Sequence, residues 1–459
     1  MAVTLEQIVS LAKRRGFIFP GSEIYGGLAG TFDYGPLGVA LKNNLKALWW
    51  KRFVEDRDDM YGVDASLIMP ARVWEASGHT ETFSDPLVTD EKTGERFRLD
   101  HVLEGVGVDP AGMSLEDMWE ALKEKNLKTP AGNAYAQPMT FNLLFPVTMG
   151  ASKDSSTLAY LRGETAQGMF VNFKNIIDAY HPKLPFGMGQ IGKAFRNEIA
   201  PREFVFRLRE LEQLEVEYFV RPDEWQQAFE EWLTVMRAYA QEIGLPLEKL
   251  HEKEIGDRDR AHYSERTIDF EFEFPTGTKE LWGLAYRTDY DLSRHGEYSG
   301  VPLTYLDEER KEKIVPHVIE PSLGVERTLL AVLASAYDED ELGGEVRTML
   351  RLNPKVAPIK AMVSPLLKNK PELVEKAKEV RAFLKSVHPA IAWDDNGNIG
   401  KRYRRQDEIG TPFCITIDFD TLGETPDLKD TVTLRHRDTG EQERLTIEEA
   451  AERLRASLA

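Results

Sequence analysis

The sequence predicts an α+β fold built on a mainly antiparallel sheet, followed by a smaller α/β unit. Three observations predict it. Residues 268–274 alternate apolar and charged side chains, the period of an antiparallel strand with one buried face. Residues 195–219 read as two strands joined by a turn at Pro201 and Arg202. Beyond residue 350, strand-like runs alternate with helical ones, the pattern of an α/β unit.

Taken along the chain, the elements are expected as follows. Thr4 with Gln7 forms a capping box that opens an N-terminal helix. Pro36 sits near the start of a second helix, in which Leu37, Leu41, Leu45, Leu48, Trp49 and Phe53 recur at spacings of three and four. Residues 1–85 form the first part of the core domain. Residues 86–150, rich in turns and charge, form an insertion with one helix near 114–125. Residues 151–350 carry the main sheet. Residues 351–459 form the α/β unit: a strand from the V-A-P-I-K-A-M-V run, a helix over 371–386, a strand at 390–393, a basic helix after Gly400, strands at 413–419 and 431–436, and a last helix opened by Thr446 with Glu449.

Composition narrows the class. A chain of 459 residues with 42% hydrophobic content suits two or three ordinary domains. No run of ~18 apolar residues is present, so no membrane span is expected. The N-terminus is amphipathic rather than a signal peptide. The single cysteine, Cys414, excludes an intrachain disulfide and a cysteine-based zinc cluster, and fits a reducing cytoplasm. A net charge of −19 argues against general nucleic-acid binding. Any such contact must be concentrated in local patches such as Lys13, Arg14 and Arg15, or Lys401, Arg402, Arg404 and Arg405.

The stretch 195–219 carries most information. Alternation places Val205, Arg207, Arg209, Leu211, Gln213 and Glu215 on one strand face, and mostly Phe204, Phe206, Leu208, Leu214, Val216 and Tyr218 on the other. The charged face is either a solvated, salt-bridged ribbon or the floor of a site. Arginines beside carboxylates suit a ligand with both phosphate and amine groups.

The order F-R-N-E, a loop, then F-R-L-R-E-L resembles motif 2 of the class II aminoacyl-tRNA synthetases, in the form found in dimeric single-chain glycyl-tRNA synthetases. The stretch I-E-P-S-L-G-V-E-R at 319–327 resembles motif 3, without its first glycine. Y-G-P-L-G-V-A-L-K-N-N-L is similar to motif 1 of the same group, whose helix lies at a dimer interface. The resemblance covers nearly the whole chain.

It implies an antiparallel catalytic sheet flanked by helices and, at 351–459, an anticodon-binding domain. Arg196 matches the arginine on the α-phosphate and amino-acid carboxylate, and Glu198 the carboxylate on the adenine edge. Arg207 matches the second phosphate arginine, and Arg327 the arginine that covers adenine and reaches the γ-phosphate; Arg196 and Arg327 are the catalytic candidates. Asn197, Phe206, Glu280, Leu281 and Gly324 complete the implied ATP site. Leu211 stands where the family has a stacking phenylalanine, which puts ATP affinity in question. Glu164 matches the carboxylate that recognises the glycine ammonium. Arg98, Leu211, Gln213, Glu215, Arg287, Glu320, Ser322 and Gly324 complete the implied glycine pocket. Glu280 is the magnesium candidate. No zinc is expected, because the stretch before Arg96-Phe97-Arg98 lacks the paired cysteines of some relatives. Arg402, Tyr403, Arg404 and Arg405 match the anticodon-binding surface. His295 and His317 are read as structural.

The implied activity is a cytoplasmic, homodimeric glycine–tRNA ligase that uses ATP and Mg²⁺, with tRNA(Gly) as partner and no membrane association. Diadenosine tetraphosphate synthesis is a further implied capacity. Two rivals stand beside it: a synthetase of the same subgroup for serine, proline or threonine, and a non-catalytic nucleic-acid-binding relative. The three arginines Arg196, Arg207 and Arg327 argue against the second.

Overall fold

The computed structural model describes residues 3–110, 112–150 and 158–458. The expected start of the catalytic core at residue 151 lies outside the described residues. A seven-stranded sheet organises the chain, in the order Leu250–Glu254, Arg266–Phe274, Gly277–Thr288, His317–Gly324, Glu210–Val220, Phe186–Phe195 and Met60–Gly62. Every neighbouring pair is antiparallel except the last, where Met60–Gly62 runs parallel to Phe186–Phe195.

Side chains alternate across each strand, so the sheet feeds two environments. Leu214, Val216 and Tyr218 turn into a large core with Phe270, Phe272 and Ile319. Helices Leu5–Arg15, Pro36–Trp50, Trp225–Glu242 and Val325–Ala336 cover that face with Leu11, Leu45, Trp232 and Leu329 among others. On the opposite face, helix Ala166–Tyr180 lays Met169, Phe170 and Phe173 on Phe186, Met188 and Phe219. Between that apolar end and the open end of the sheet lie Gln213, Glu215 and Glu217, all buried.

The helix starts follow their local chemistry. Thr4 and Gln7 form the expected reciprocal cap, and Pro36 occupies the first turn after Gly35. Gly38 is required in that helix, because a Cβ there would meet the Phe17 carbonyl oxygen at 1.9 Å. Thr446 and Glu449 cap the final helix, Ile447–Leu458.

The region after residue 83 holds more structure than its turn-rich sequence suggests. Strands Ser84–Thr89, Arg96–Arg98 and Met139–Asn142 form a small sheet, and helices Leu99–Glu104 and Leu115–Glu124 pack on it through Leu99, Leu103, Met118 and Leu122. The turn before Arg96 is tied by Asp90, which accepts from Lys92 N, Thr93 N, Thr129 Oγ1 and Asn133 Nδ2.

The C-terminal unit is a five-stranded sheet in the order Ile391–Trp393, Ala361–Pro365, Phe413–Ile417, Thr431–His436 and Gln442–Thr446. Helices Pro371–Val387 and Ile447–Leu458 bury Leu373, Val380 and Leu454 against it. Hairpin Tyr337–Leu342/Glu345–Leu350 packs between this unit and helix Val325–Ala336. Its Arg347, 2% exposed, pairs with Asp340 and with Asp407 of helix Ile399–Ile409. Arg15 of the N-terminal helix pairs with Glu408 of the same helix.

This helix corrects one expectation. Arg402 is 1% exposed and donates to Ser364 Oγ and to the carbonyls of Pro365, Asp395 and Gly397. It ties the helix to the strand edge and is not available to an RNA. Even a helix made mostly of charged and polar residues has one inward face, and Arg402, Gln406 and Asp407 occupy it. Tyr403, Arg404 and Arg405 are half-buried, bonded to Thr416, the Leu342 carbonyl and Asp394 respectively.

Candidate active site

The charged hairpin is built differently from its sequence reading. Its first strand, Phe186–Phe195, ends one residue before Arg196, so Arg196 and Glu198 lie in the connection. Its second strand begins at Glu210, not near Val205. Residues 202–207 form a tight turn closed by a bridge between Arg202 and Arg207, with Glu203 and Phe204 in the left-handed region at φ 60° and 57°. The expected two-faced partition therefore fails over 204–209 and holds from Leu211 onward.

This geometry places one row of residues across the sheet. Gln190 opposes Glu215, Glu215 opposes Ser322, Ser322 opposes Gly283, and Gly283 opposes Asp269. From Glu215 to Asp269 the row floors a cavity of about 350 Å³, lined along one wall by Glu164, Glu215, Glu320 and Ser322, and elsewhere by Arg196, Arg207 and Arg327.

The acidic end rests on Arg287, 1% exposed beneath the cavity. Its guanidinium forks onto Asp291 at 2.8 and 2.9 Å, reaches Glu320 Oε1 at 2.7 Å, and lies 4.0 Å from Glu164. Phe170 and Tyr263 sandwich it, 5.3 and 3.7 Å from the ring centres. Glu164 also contacts His79 Nε2 at 3.2 Å and accepts from Gln167 at 2.9 Å. Burial disfavours its charge, but His79, Arg287 and Gln167 outweigh burial and hold the carboxyl well below the usual range. Glu215 accepts from Ser322 Oγ, Gln213 Nε2 and Thr165 N at 2.6, 2.7 and 3.1 Å.

Burial, only partly offset by Arg287 and reinforced by the charges of Glu215 and Glu164, pushes Glu320 up to about 8. Glu217, 0% exposed, lies deeper, and neither of its oxygens has a partner among the described residues. Burial, with Glu320 nearby, pushes its carboxyl well above the usual range. Carboxylates thus outnumber cations at this end. An ammonium placed here would offset that excess of negative charge.

The other end is cationic. Arg196 donates to the Gly163 carbonyl at 3.1 Å and lies 5.3 Å from the Phe83 ring. Arg327, in the first turn of helix Val325–Ala336, stacks 4.5 Å over Phe206 and pairs with Glu280 at 3.1 Å. One guanidinium nitrogen of Arg207 and one oxygen of Glu198 are buried without a partner among the described residues. Unpaired buried polar atoms are costly, and a ligand that pairs them recovers that cost. Leu211 and Leu281 line the same space.

Most of the residues singled out by sequence converge here: Glu164, Arg196, Glu198, Phe206, Arg207, Leu211, Gln213, Glu215, Glu280, Leu281, Glu320, Ser322, Gly324 and Arg327 all line the cavity. Two do not. Arg98 is held by Asp85 at 2.9 Å and by Asp100 within the inserted region. Asn197 lies outside the lining, its N–H on the Leu143 carbonyl. Residues missed by the sequence reading include His79, Thr165, Tyr263 and Asp269. Asp269, facing Glu280, is pushed up to about 7 by burial and by that neighbouring charge. Among the described residues, no group of three or more His, Cys, Asp or Glu stands in metal-binding geometry.

Two family profiles match the chain: "tRNA synthetase class II core domain (G, H, P, S and T)" over residues 151–336, and "Anticodon binding domain" over 360–457. Curated relatives are similar along its whole length. The glycine–tRNA ligase of Clostridium acetobutylicum is 49% identical, covering 97% of each chain. That of Caldanaerobacter subterraneus subsp. tengcongensis is 47% identical over 99% of each. That of Thermus thermophilus is 47% identical over 100% of this chain and 99% of its own.

Proposed function

The chain belongs to the glycine–tRNA ligases of the class II aminoacyl-tRNA synthetase family, and we propose that this cavity performs both half-reactions of that activity. The observation that carries the assignment of roles is the polarity of the cavity: a carboxylate-lined end 2–8% exposed at Glu164, Glu215 and Glu320, facing an end built on three arginines. An α-ammonium fits the first and a triphosphate the second.

In the first step a glycine carboxylate oxygen attacks the α-phosphorus, forming an O–P bond. The bond to the β-phosphate oxygen breaks, and pyrophosphate leaves with its electron pair. Arg196 offsets charge on the α-phosphate, and Arg207 and Arg327 on the leaving group; fixed cations act here without reorganisation. Glu198 accepts from the adenine amine. In the second step a terminal hydroxyl of the tRNA attacks the adenylate carbonyl, its proton is lost, and AMP leaves.

No protein nucleophile is needed, and positioning supplies much of the rate. Glu280 and Asp269 would hold Mg²⁺, which takes one or two carboxylates beside substrate phosphates, and when bound it neutralises phosphate charge. Glycine would be selected by closing carboxylates at short range around the ammonium, so that anything larger is excluded. An apolar pocket would discriminate a methyl by only ~1–3 kcal/mol.

The Pro36–Trp50 helix exposes Val39, Asn43 and Ala47 on one stripe, which supports pairing with a second copy. The half-buried Tyr403, Arg404 and Arg405 stay as anticodon candidates; Arg402 does not. A reducing cytoplasm suits the buried free thiol of Cys414.

Thermal shift with non-hydrolysable aminoacyl-adenylate analogues tests the pocket. The glycyl analogue should stabilise the protein and the seryl and prolyl analogues should not; equal stabilisation by the seryl analogue would overturn the glycine assignment.

A further inference from the structure

Behind the cavity, three elements meet at one buried lysine. Lys42, on the Pro36–Trp50 helix, is 6% exposed. Its Nζ donates to Glu326 Oε1 at 2.9 Å and pairs with Glu212 Oε2 at 2.5 Å. Lys46, one turn on, reaches the other Glu212 oxygen at 3.0 Å. Glu326, 3% exposed, immediately precedes Arg327. Glu212 lies between Leu211 and Gln213, both in the cavity wall.

A second contact closes the cluster. The His317–Gly324 strand pairs with the Glu210–Val220 strand as far as Gly324 opposite Gln213. There the chain leaves the sheet and begins a helix at Val325. Glu326 Oε2 accepts the Glu212 backbone N–H at 2.8 Å, so a side-chain carboxylate continues the bonding where the strand has stopped. The ion cluster therefore clamps the strand-to-helix switch that presents Arg327 against the strand that presents Leu211 and Gln213.

A buried ammonium is stable only when well paired, and removing it leaves two carboxylates facing each other. Both carboxylates belong to elements other than that of Lys42, so the cluster fixes the relative position of those elements. We propose that Lys42 is a positioning residue for adenylate formation, acting through Glu326 and Glu212 to hold Arg327 and the Leu211–Gln213 edge in register around ATP. The proposal rests on the reading of the cavity as an ATP site. A displacement of about 1 Å at a catalytic group can cost on the order of 100-fold in rate.

The test uses the full chain in glycine-dependent ATP–pyrophosphate exchange, with rates normalised to titrated active sites. Wild-type exchange with glycine, measured first, separates a failure of the underlying reading from a failure of this one. Lys42→Met keeps the side-chain length and removes the charge. It should lower kcat/KM for ATP at least tenfold while the glycine KM stays within threefold, and Lys42→Arg should recover most of the loss. If Lys42→Met does not fold, Glu326→Gln carries the test under the same criteria, since it keeps an oxygen for the Glu212 N–H. Unchanged kcat and ATP KM per titrated site in the charge-removing variant, with only thermal stability reduced, would overturn the proposal.

Discussion

Glu320→Gln separates what the acidic pocket does for substrate from what it does to the fold. Glu320 is 5% exposed, bonded to Arg287 at 2.7 Å, and faces the cavity. A charge-assisted hydrogen bond from the glycine ammonium to this carboxylate is worth ~1.5–3 kcal/mol. Its loss should raise the glycine KM by ~10–150-fold, at 1.4 kcal/mol per factor of ten.

Stability should move the other way. The folded-state carboxyl is pushed up to about 8 by burial first, against Arg287 and with the charges of Glu215 and Glu164. An unfolded glutamate titrates near ~4.3. Between those values the folded state binds more protons than the unfolded state, so Glu320 makes stability fall as pH rises. The slope is at most ~1.4 kcal/mol per pH unit. Glu320→Gln lacks this titration. Its melting temperature should match the wild type near pH 5 and exceed it increasingly toward pH 8. In the wild type, glycine must displace the proton, so its apparent affinity should rise with pH up to about 8 and then level. Exchange kinetics and thermal melts across pH 5–9 measure both arms. A glycine KM within twofold of wild type, or a melting difference that does not widen with pH, refutes the reasoning.

Three further substitutions probe the rest of the site and the C-terminal unit. Arg196→Ala should abolish adenylate formation while circular dichroism and melting temperature stay near wild type, since the guanidinium makes one carbonyl contact with its own fold; full exchange activity would contradict its role. Leu211→Phe should lower the ATP KM roughly two- to tenfold, the gain expected from an aromatic pairing of ~0.5–1.5 kcal/mol; an unchanged KM would show that Phe206 already supplies the ring. Arg402→Ala should destabilise the C-terminal unit by about 3 kcal/mol, because two buried and two part-buried acceptors lose their donor; an unaltered melt with weakened tRNA binding would restore Arg402 as an RNA contact.

The sequence made some parts of this molecule legible and hid others for physical reasons. The caps at Thr4 and Thr446 and the proline at residue 36 are local chemistry, and the structure places them as read. Strand Thr431–His436 has the bounds that its alternation predicts. The segment 203–207 reads as strand in the sequence because it keeps an alternating pattern. Backbone in the left-handed region at Glu203 and Phe204 leaves no trace in residue type. Helix Leu99–Glu104 is six residues long, too short for a period to show. Within the site, motif order located the arginines and glutamates. His79, Tyr263 and Asp269 come from a short helix, a loop and a strand, and only folding brings them to the cavity or, for His79, to Glu164 in its wall. Arg402 failed for the reason basic helices often mislead: charge composition does not reveal which face turns inward, and the inward face here includes an arginine.

The central claim, a cavity that joins the glycine carboxylate to ATP, is tested most directly by amino-acid-dependent pyrophosphate exchange with the full chain and a panel of glycine, alanine, serine, proline and threonine, without tRNA. The polarity and crowding of the pocket predict exchange with glycine and no more than a trace with the others. Strong exchange with serine or alanine and none with glycine would contradict it.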